Sequence, residues 1–248
     1  MIYFIGAGPG DPELITVKGM KLIQSCGVVI YAGSLVNKEI LKYAKKDASI
    51  YNSASMSLDE IIDIMKEAHN KGIDVARVHT GDPTIYGAIR EQMQELDGLG
   101  IPYEVIPGVS SFTAAASVLK KELTLPEVSQ TIIITRAEGR TPVPQEQTLR
   151  SLSKHKATMA IFLSVQDIDK VVEDLKEGYS EDTPVAVVYK ATWEDELIFE
   201  GTLKNIAEKV KENDINKTAM ILIGDFLGDI KEYSKLYDAA FSHNYRKA

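Results

Sequence analysis

Cysteine and histidine are scarce in this sequence, and their scarcity excludes several kinds of site. The single cysteine, Cys26, cannot form a disulfide within the chain, so a disulfide framework is excluded and a reducing compartment is favoured. The four histidines have no spacing typical of a metal centre, and Cys26 has no second cysteine with which to share a metal. They are His69, His79, His155 and His243. We therefore expect no protein-bound metal.

Long apolar runs and an excess of positive charge are also missing. No stretch approaches the roughly 18 apolar residues that indicate a membrane-spanning helix, and no charged start followed by an apolar run indicates a secretion signal. The chain has 28 basic and 36 acidic side chains, a net charge of −8 that repels nucleic acid. We expect a cytoplasmic protein with neither a membrane nor a nucleic-acid partner.

Familiar catalytic motifs are absent as well. The sequence contains neither a Gly-x-Ser-x-Gly elbow nor a P-loop, so hydrolase and kinase functions have no support. It does contain Gly6, Gly8 and Gly10 directly after a strand-like run, which resembles the start of a dinucleotide-binding turn. That fingerprint requires a third glycine at the position held by Asp11, and an acidic residue about 20 residues later that is missing here. The turn therefore predicts that another segment of backbone, or a ligand other than NAD or FAD, lies close to it.

Short apolar runs alternate with amphipathic helical patterns along the 248 residues, which is typical of α/β folds. Ser57 and Glu60 form a capping-box pattern that predicts the start of a helix. Residues 120–127 look like a linker, after which the pattern restarts. We predict two α/β domains, residues 1–122 and 123–248, the second ending in an aromatic and basic tail. Strands are predicted at residues 2–5, 28–32, 74–79, 103–106, 131–135, 158–163, 184–189, 197–203 (antiparallel) and 219–223.

Three turns in the first half share one design, in which a strand leads through glycine or proline and a small polar residue to a helix. They are residues 6–11, 80–87 and 107–111. Such loops gather beyond the carboxyl ends of the strands in an open α/β sheet, where ligands bind. Tight turns are needed in any α/β protein, but three turns of this kind together favour a ligand site.

Two polar residues near the second turn have alternative interpretations. Asp82 precedes a proline, so it either caps a following helix or contacts a ligand. His79 ends a predicted buried strand, and a core histidine with satisfied hydrogen bonds is the simpler interpretation.

Residues 135–144 form a second unusual stretch, in which Arg136 and Arg140 lie four apart in a Gly/Pro loop. Two such guanidinium groups can bind carboxylates or phosphates bidentately. A solvated loop with an internal Arg–Glu pair is the alternative. A third stretch, residues 189–193, follows a strand and contains the only tryptophan, Trp193.

These segments together resemble the tetrapyrrole methylase superfamily. The resemblance rests on GAGPGDPELIT from Gly6, GDPTIYG from Gly81 and PGVSS from Pro107. Residues 31–36, 123–126, 135–144 and 188–193 are similar to those members that methylate carbon 11 of precorrin-4, with or without cobalt, in cobalamin biosynthesis. The resemblance spans the chain and implies two α/β domains with S-adenosylmethionine in the cleft between them.

The resemblance also implies which residues contact the cofactor, with Leu163, Ala191 and Ala219 supplied by the second domain. Related uroporphyrinogen methylases have glycine where Ala191 stands, and this departure bears on the fit of the cofactor. The implied contacts are Pro9, Thr80, Gly81, Asp82, Ile85, Tyr86, Ser110, Ser111, Leu163, Ala191 and Ala219.

The implied substrate carries acetate and propionate arms, so an acidic protein must present a local cationic surface to it. Arg136 and Arg140 are the candidate substrate-binding residues. The resemblance supplies no agreed catalytic residue, and it favours a homodimer. Methyl transfer from a sulfonium to an already nucleophilic carbon requires mainly alignment of donor and acceptor.

Several alternative functions are open at this point, some with this fold and some with another. The acceptor could be another precorrin, uroporphyrinogen III, a protein histidine derivative or ribosomal RNA; the acidic charge argues against RNA and residues 135–144 against the histidine derivative. A carrier of corrinoid intermediates would bind tetrapyrrole but no cofactor. A hydride-transfer enzyme would bind NAD(P).

Overall fold

The computed structural model of the chain describes residues 1–139 and 141–229. Arg140 and the aromatic tail lie outside the described residues. Met1–Ala114 and Lys190–Asp195 form one compact unit, and Ala115–Tyr189 forms a second with the described residues after Asp195. This partition falls near the domain boundary predicted between residues 122 and 123, which stays a prediction.

The first unit is built on a five-stranded parallel sheet with the order β3-β2-β4-β1-β5. Strands β2 and β4 are buried along their whole length, as expected for a parallel sheet covered on both faces. The edge strand β3 was not predicted, because all four of its residues are exposed and show no apolar pattern. The strands are β1 (Ile2–Gly6), β2 (Val28–Tyr31), β3 (Ser49–Asn52), β4 (Val75–His79) and β5 (Tyr103–Ile106).

One α-helix follows each of the strands β1, β3, β4 and β5. These helices are α1 (Val17–Ser25), α2 (Leu58–Asn70), α3 (Arg90–Leu99) and α4 (Ser111–Val118). The predicted capping box is confirmed at the start of α2, where Ser57 N donates to the Glu60 carboxylate at 2.7 Å and Glu60 N donates to Ser57 Oγ at 3.3 Å. Helix α2 then buries Ile61, Ile62 and Met65 against the sheet.

The second unit contains a mixed five-stranded sheet with the order β6-β7-β10-β8-β9. Strands β6 and β7 are parallel, and the remaining pairs are antiparallel, which confirms the antiparallel strand predicted at residues 197–203. The elements are β6 (Ile132–Arg136), α5 (Leu149–Ser153), β7 (Thr158–Phe162), α6 (Ile168–Leu175), β8 (Pro184–Tyr189), β9 (Leu197–Thr202), α7 (Ile206–Glu212) and β10 (Ala219–Ile223).

Each unit has its own apolar core. In the first, side chains alternate along the strands, so that Phe4 and Ile30 pack on one face of the sheet and Ile5 and Val29 on the other. In the second, helix α6 packs its apolar side against the sheet. None of the helices in the described part of the chain is long and apolar enough to cross a membrane.

Candidate functional site

The first two glycine turns meet at the carboxyl edge of the parallel sheet. Gly81 N donates to Gly8 O at 2.7 Å, and Gly8 N donates to Gly81 O at 3.3 Å, so the two residues form an isolated backbone bridge. Both have a positive φ, +81° at Gly8 and +61° at Gly81, which glycine adopts without strain. The turns after β1 and β4 are therefore held together by their backbones.

The third turn packs against the same place. A Cβ on Gly108 would lie 2.1 Å from Gly81 O and 2.8 Å from the Gly6 Cα. Because these neighbours are backbone atoms, only glycine allows the contact. The sequence prediction that the three loops gather at one edge is confirmed.

Asp82 joins the second loop to the third. Its Oδ1 accepts from the backbone N and the hydroxyl of Thr84, and its Oδ2 accepts from Gly108 N at 3.0 Å. Burial alone would raise the pKa of this carboxyl, but these hydrogen bonds outweigh burial and hold its pKa below the ordinary value. The next α-helix begins only at Arg90, so the predicted alternative that Asp82 caps a helix is wrong.

The end of the second loop has a strained backbone. Tyr86 and Ala88 have φ of +54° and +49°, a left-handed backbone conformation that residues other than glycine rarely adopt. Gln92 Nε2, from α3, donates to Ala88 O at 3.0 Å, and Gln92 Oε1 accepts from Arg77 Nε at 3.0 Å. Gln92 and Arg77 are both buried, so a buried polar network holds the strained segment.

Two titratable side chains of β4 interact with this part of the structure. Arg77 bonds to Gln92, and His79 bonds to the Gly87 backbone. Burial lowers the pKa of Arg77 to about 10, and its guanidinium also donates to Ser53 Oγ at 3.0 Å. Burial, and then the charge of Arg77, lower the pKa of His79 to about 3, while a hydrogen bond to the Gly87 backbone partly opposes them. The predicted core position of His79 is confirmed. Its Nε2, however, has no hydrogen-bond partner within the described part of the chain.

The segment Lys190–Asp195 belongs to the first unit although it follows β8. Trp193 Nε1 donates to Pro9 O at 2.9 Å, and Asp11 N donates to Thr192 Oγ1 at 3.0 Å. Both partners lie in the first glycine turn. Ala191, expected to come from the second domain, is thus part of the first unit with Pro9.

In the second unit, Arg136 and Leu163 line a common cavity of about 400 Å³. Arg136 Nη2 donates to Thr141 O at 3.1 Å and to Pro142 O at 3.3 Å, so it braces its own loop. Among the described residues Arg136 forms no ion pair with a glutamate, so the alternative of an internal Arg–Glu pair is not observed for this arginine. Leu163 is 61% exposed with φ of +53°, an unusual conformation for an apolar residue at the end of a buried strand.

The structure therefore brings most of the predicted cofactor residues into the first unit. A Cβ on Gly81 would lie 3.7 Å from both Ser110 Cα and Ser111 N, so these residues of the second and third loops are neighbours. Leu163 and Ala219 belong to the second unit, and the predicted location of the cofactor between the domains stays a prediction. The residues in the first unit are Pro9, Thr80, Gly81, Asp82, Ile85, Tyr86, Ser110, Ser111 and Ala191.

Sequence reasoning missed three parts of this arrangement. The contact of Trp193 with Pro9 spans 184 residues, and the only available signal was that the single tryptophan follows a strand. The pairing of Arg77 with Gln92 had one signal, a charged residue inside a predicted buried strand. The hydrogen bond from Gly108 N to Asp82 Oδ2 had no signal in the sequence.

Comparison with known proteins gives a consistent result. A family model described as tetrapyrrole (corrin/porphyrin) methylases matches residues 1–207. A cobalt-precorrin-4 C(11)-methyltransferase of Methanocaldococcus jannaschii is 62% identical over 249 residues, which cover 100% of this chain and 96% of the relative. A precorrin-4 C(11)-methyltransferase of Pseudomonas aeruginosa is 48% identical over 246 residues, which cover 99% of this chain and 98% of the relative.

A solved structure has the same fold. It is that of a cobalamin biosynthetic enzyme, cobalt precorrin-4 methyltransferase, with 50% sequence identity and a TM-score of 0.89 over 92% of this chain and 96% of that one. The predicted class, two α/β domains of the tetrapyrrole methylase type, is confirmed. On this agreement of sequence and fold, the chain belongs to the tetrapyrrole methylase family.

Proposed function

We propose that this protein transfers a methyl group from S-adenosylmethionine to carbon 11 of precorrin-4 or cobalt-precorrin-4 in cobalamin biosynthesis. The observation that carries the proposal is the 62% identity to a cobalt-precorrin-4 C(11)-methyltransferase, which extends over the whole chain. The glycine loops are consistent with this function, because they supply a ligand site that lacks the dinucleotide fingerprint.

The residues of the first unit fit the methyl donor. Gly81, Ser110 and Ser111 bring the backbones of two loops side by side, and their polar groups can bind those of an amino acid and a ribose. Tyr86 lies in the same loop as Gly81 and is 45% exposed. Its ring offers an aromatic surface for an adenine ring. The two carbonyl groups of Pro9 and Gly10 are already fixed by Trp193 and Asn37.

When bound, the sulfonium of the donor supplies an electrophilic methyl group. The proposed cofactor contacts, among them Gly81, Ser110 and Ser111, would hold the donor with this methyl group toward the enamine-like carbon 11 of the tetrapyrrole, whose electron pair would form the new C–C bond as the C–S bond breaks. Since the nucleophile needs no strong base, the protein contributes mainly by holding donor and acceptor in line. This agrees with the lack of a constellation of catalytic side chains among residues 1–139 and 141–229, and we assign no catalytic residue.

Arg136 is the proposed contact for the carboxylate arms of the tetrapyrrole. It lines the cavity of the second unit together with Leu163, and its described side-chain bonds to its own loop are donated by Nη2. Its remaining N–H groups can bind a carboxylate. Arg140 is proposed for the same role from its place in the sequence.

The first experiment is calorimetric titration with S-adenosylhomocysteine, with NAD as the control. Micromolar binding of S-adenosylhomocysteine alone is expected, and binding of NAD alone would contradict the proposal. Methyl transfer is then assayed side by side with precorrin-4, cobalt-precorrin-4 and uroporphyrinogen III. Turnover of a precorrin-4 form is expected; turnover of uroporphyrinogen III alone would assign the chain to the alternative acceptor.

Cytoplasmic location and a homodimeric state are further parts of the proposal. The single cysteine, which is buried, fits a reducing compartment. Sedimentation equilibrium tests the oligomeric state, and a monomer across the micromolar range would contradict it.

A further inference from the structure

Trp193 contacts two adjacent residues of the first glycine turn, Pro9 and Gly10. The proposed activity does not by itself account for these contacts. The indole N–H of Trp193 donates to Pro9 O, and its ring packs on the next residue so closely that a Cβ on Gly10 would lie 2.1 Å from Trp193 Cδ1. The same Cβ would lie 2.9 Å from Ala191 O. The turn therefore presses against both the indole ring and the backbone of residue 191.

The segment that carries Trp193 is itself braced. Trp193 N donates to Lys190 O at 2.9 Å, and the Lys190 ammonium lies 5.3 Å from the centre of the indole ring. Lys190 and Thr192 have φ of +49° and +70°, so the backbone on each side of Ala191 is left-handed. Strain of this kind persists only where surrounding contacts fix the conformation.

From these contacts we propose that Trp193 is a positioning residue for the methyl donor, because it fixes the spacing between Pro9 and Ala191. Both of those residues are proposed cofactor contacts, so the inference rests on the proposed function. Without the indole N–H, the turn samples other conformations, and the cofactor must select the competent one. The apparent affinity then falls by the fraction of molecules in that conformation.

The test is Trp193→Phe, which keeps an aromatic ring and removes the donor. Calorimetry should show about three- to tenfold weaker binding of S-adenosylhomocysteine, the range set by losing one hydrogen bond. The KM for S-adenosylmethionine should rise by a similar factor, while kcat stays within about twofold because the bound turn regains its geometry. A purely structural role would lower the Tm and leave this KM-against-kcat split absent.

Tyr103→Phe is the matched control, because it removes one hydroxyl that donates to Asp97 at 3.2 Å in the same unit. It should leave the affinity for S-adenosylhomocysteine unchanged. Equal affinity of Trp193→Phe and wild type would overturn the inference but not the proposed function. Absence of binding by the wild type would overturn both.

If Trp193→Phe does not fold, Gly10→Ala provides the test, because a Cβ on Gly10 would lie 2.1 Å from Trp193 Cδ1 and would displace the indole ring from the turn. Folded Gly10→Ala should bind S-adenosylhomocysteine more weakly than the wild type by a similar factor. Wild-type affinity in folded Gly10→Ala would overturn the inference.

Discussion

The carboxylate of Asp82 accepts a hydrogen bond from the backbone N–H of Gly108 at 3.0 Å, across 26 residues of sequence. It also accepts two hydrogen bonds from Thr84 in its own loop. One side chain thus connects the loop after β4 to the loop after β5. The carboxylate of Asp82 therefore helps to hold these two loops together, beside the backbone packing of Gly108 on Gly81.

Replacing Asp82 by Asn should destabilise the protein by about 1–2 kcal/mol at pH 7, because an amide cannot accept all these bonds with both of its polar atoms. The effect should depend on pH. The pKa of Asp82 lies below its ordinary value of 3.8 in the folded protein, so its stabilisation is present above pH 3.8 and is lost as the pH falls through the folded value. Urea unfolding at pH 7 and at pH 3.5 measures the difference.

Asp63→Asn is the control for this substitution, since Asp63 is exposed on α2. It should change the free energy of unfolding by less than about 0.5 kcal/mol. A gap between Asp82→Asn and wild type that stays constant over this pH range would contradict the assigned role of the carboxylate.

Gly108→Ala should reduce stability by at least about 3 kcal/mol, because the new methyl group would overlap backbone atoms of Gly81 and Gly6. Gly98→Ala is the matched comparison. No described atom lies within 4 Å of a Cβ at Gly98, which is in α3, so alanine should stabilise the helix by about 0.5–1 kcal/mol. Thermal unfolding of both variants checks this, and two similar Tm values would contradict it.

Local patterns were enough to predict much of the fold. Every strand except β3, and the start of α2, was predicted because apolar periodicity and the Ser57–Glu60 box act over a few residues. The meeting of the three glycine loops was predictable for a related reason. Parallel strands place their carboxyl ends at one edge, so loops that follow them must lie together.

The parts that escaped prediction depend on contacts distant in sequence. Nothing near Trp193 indicates that it packs on Gly10, since the reason lies in the absence of a Cβ 183 residues away. Arg77 lies in a buried strand because Gln92 and Ser53 satisfy its donors, and neither partner has a sequence signal. The exposed edge strand β3 has no buried face to produce a pattern.

Arg136→Ala should weaken binding of the tetrapyrrole while the affinity for S-adenosylhomocysteine holds, because the lost guanidinium is a proposed carboxylate contact in the second unit. A charge-assisted hydrogen bond is worth about 1.5–3 kcal/mol, so the tetrapyrrole Kd should rise at least tenfold. Arg150→Ala removes an exposed arginine of the same unit that pairs with Asp174, and serves as the control. Unchanged tetrapyrrole affinity in Arg136→Ala would refute the assignment.

Gln92→Leu should destabilise the protein by about 3 kcal/mol. It leaves the buried Arg77 Nε without its acceptor and Ala88 O without its donor. Gln94→Leu, an exposed position on the same helix, should change stability by less than about 0.5 kcal/mol. Urea unfolding compares the two, and equal effects would show that the buried network contributes little.

His79 should make the protein less stable as the pH falls below 6.5. The imidazole of the unfolded chain takes up a proton near its ordinary pKa of 6.5, whereas burial keeps the folded imidazole neutral down to about pH 3. The unfolded state therefore binds more protons between these values, and acidification favours it. From pH 7 to pH 5 the loss from this one group should be about 2 kcal/mol.

His79→Leu should remove that contribution, so the free energy of unfolding should fall less steeply between pH 7 and pH 5 than in the wild type. Gln94→Leu is the control, because Gln94 is exposed on α3 and its replacement removes no titratable group. Its curve should run parallel to that of the wild type. Parallel curves for His79→Leu and wild type would mean that His79 gains its proton in the folded protein as readily as in the unfolded chain, so that burial does not control its titration.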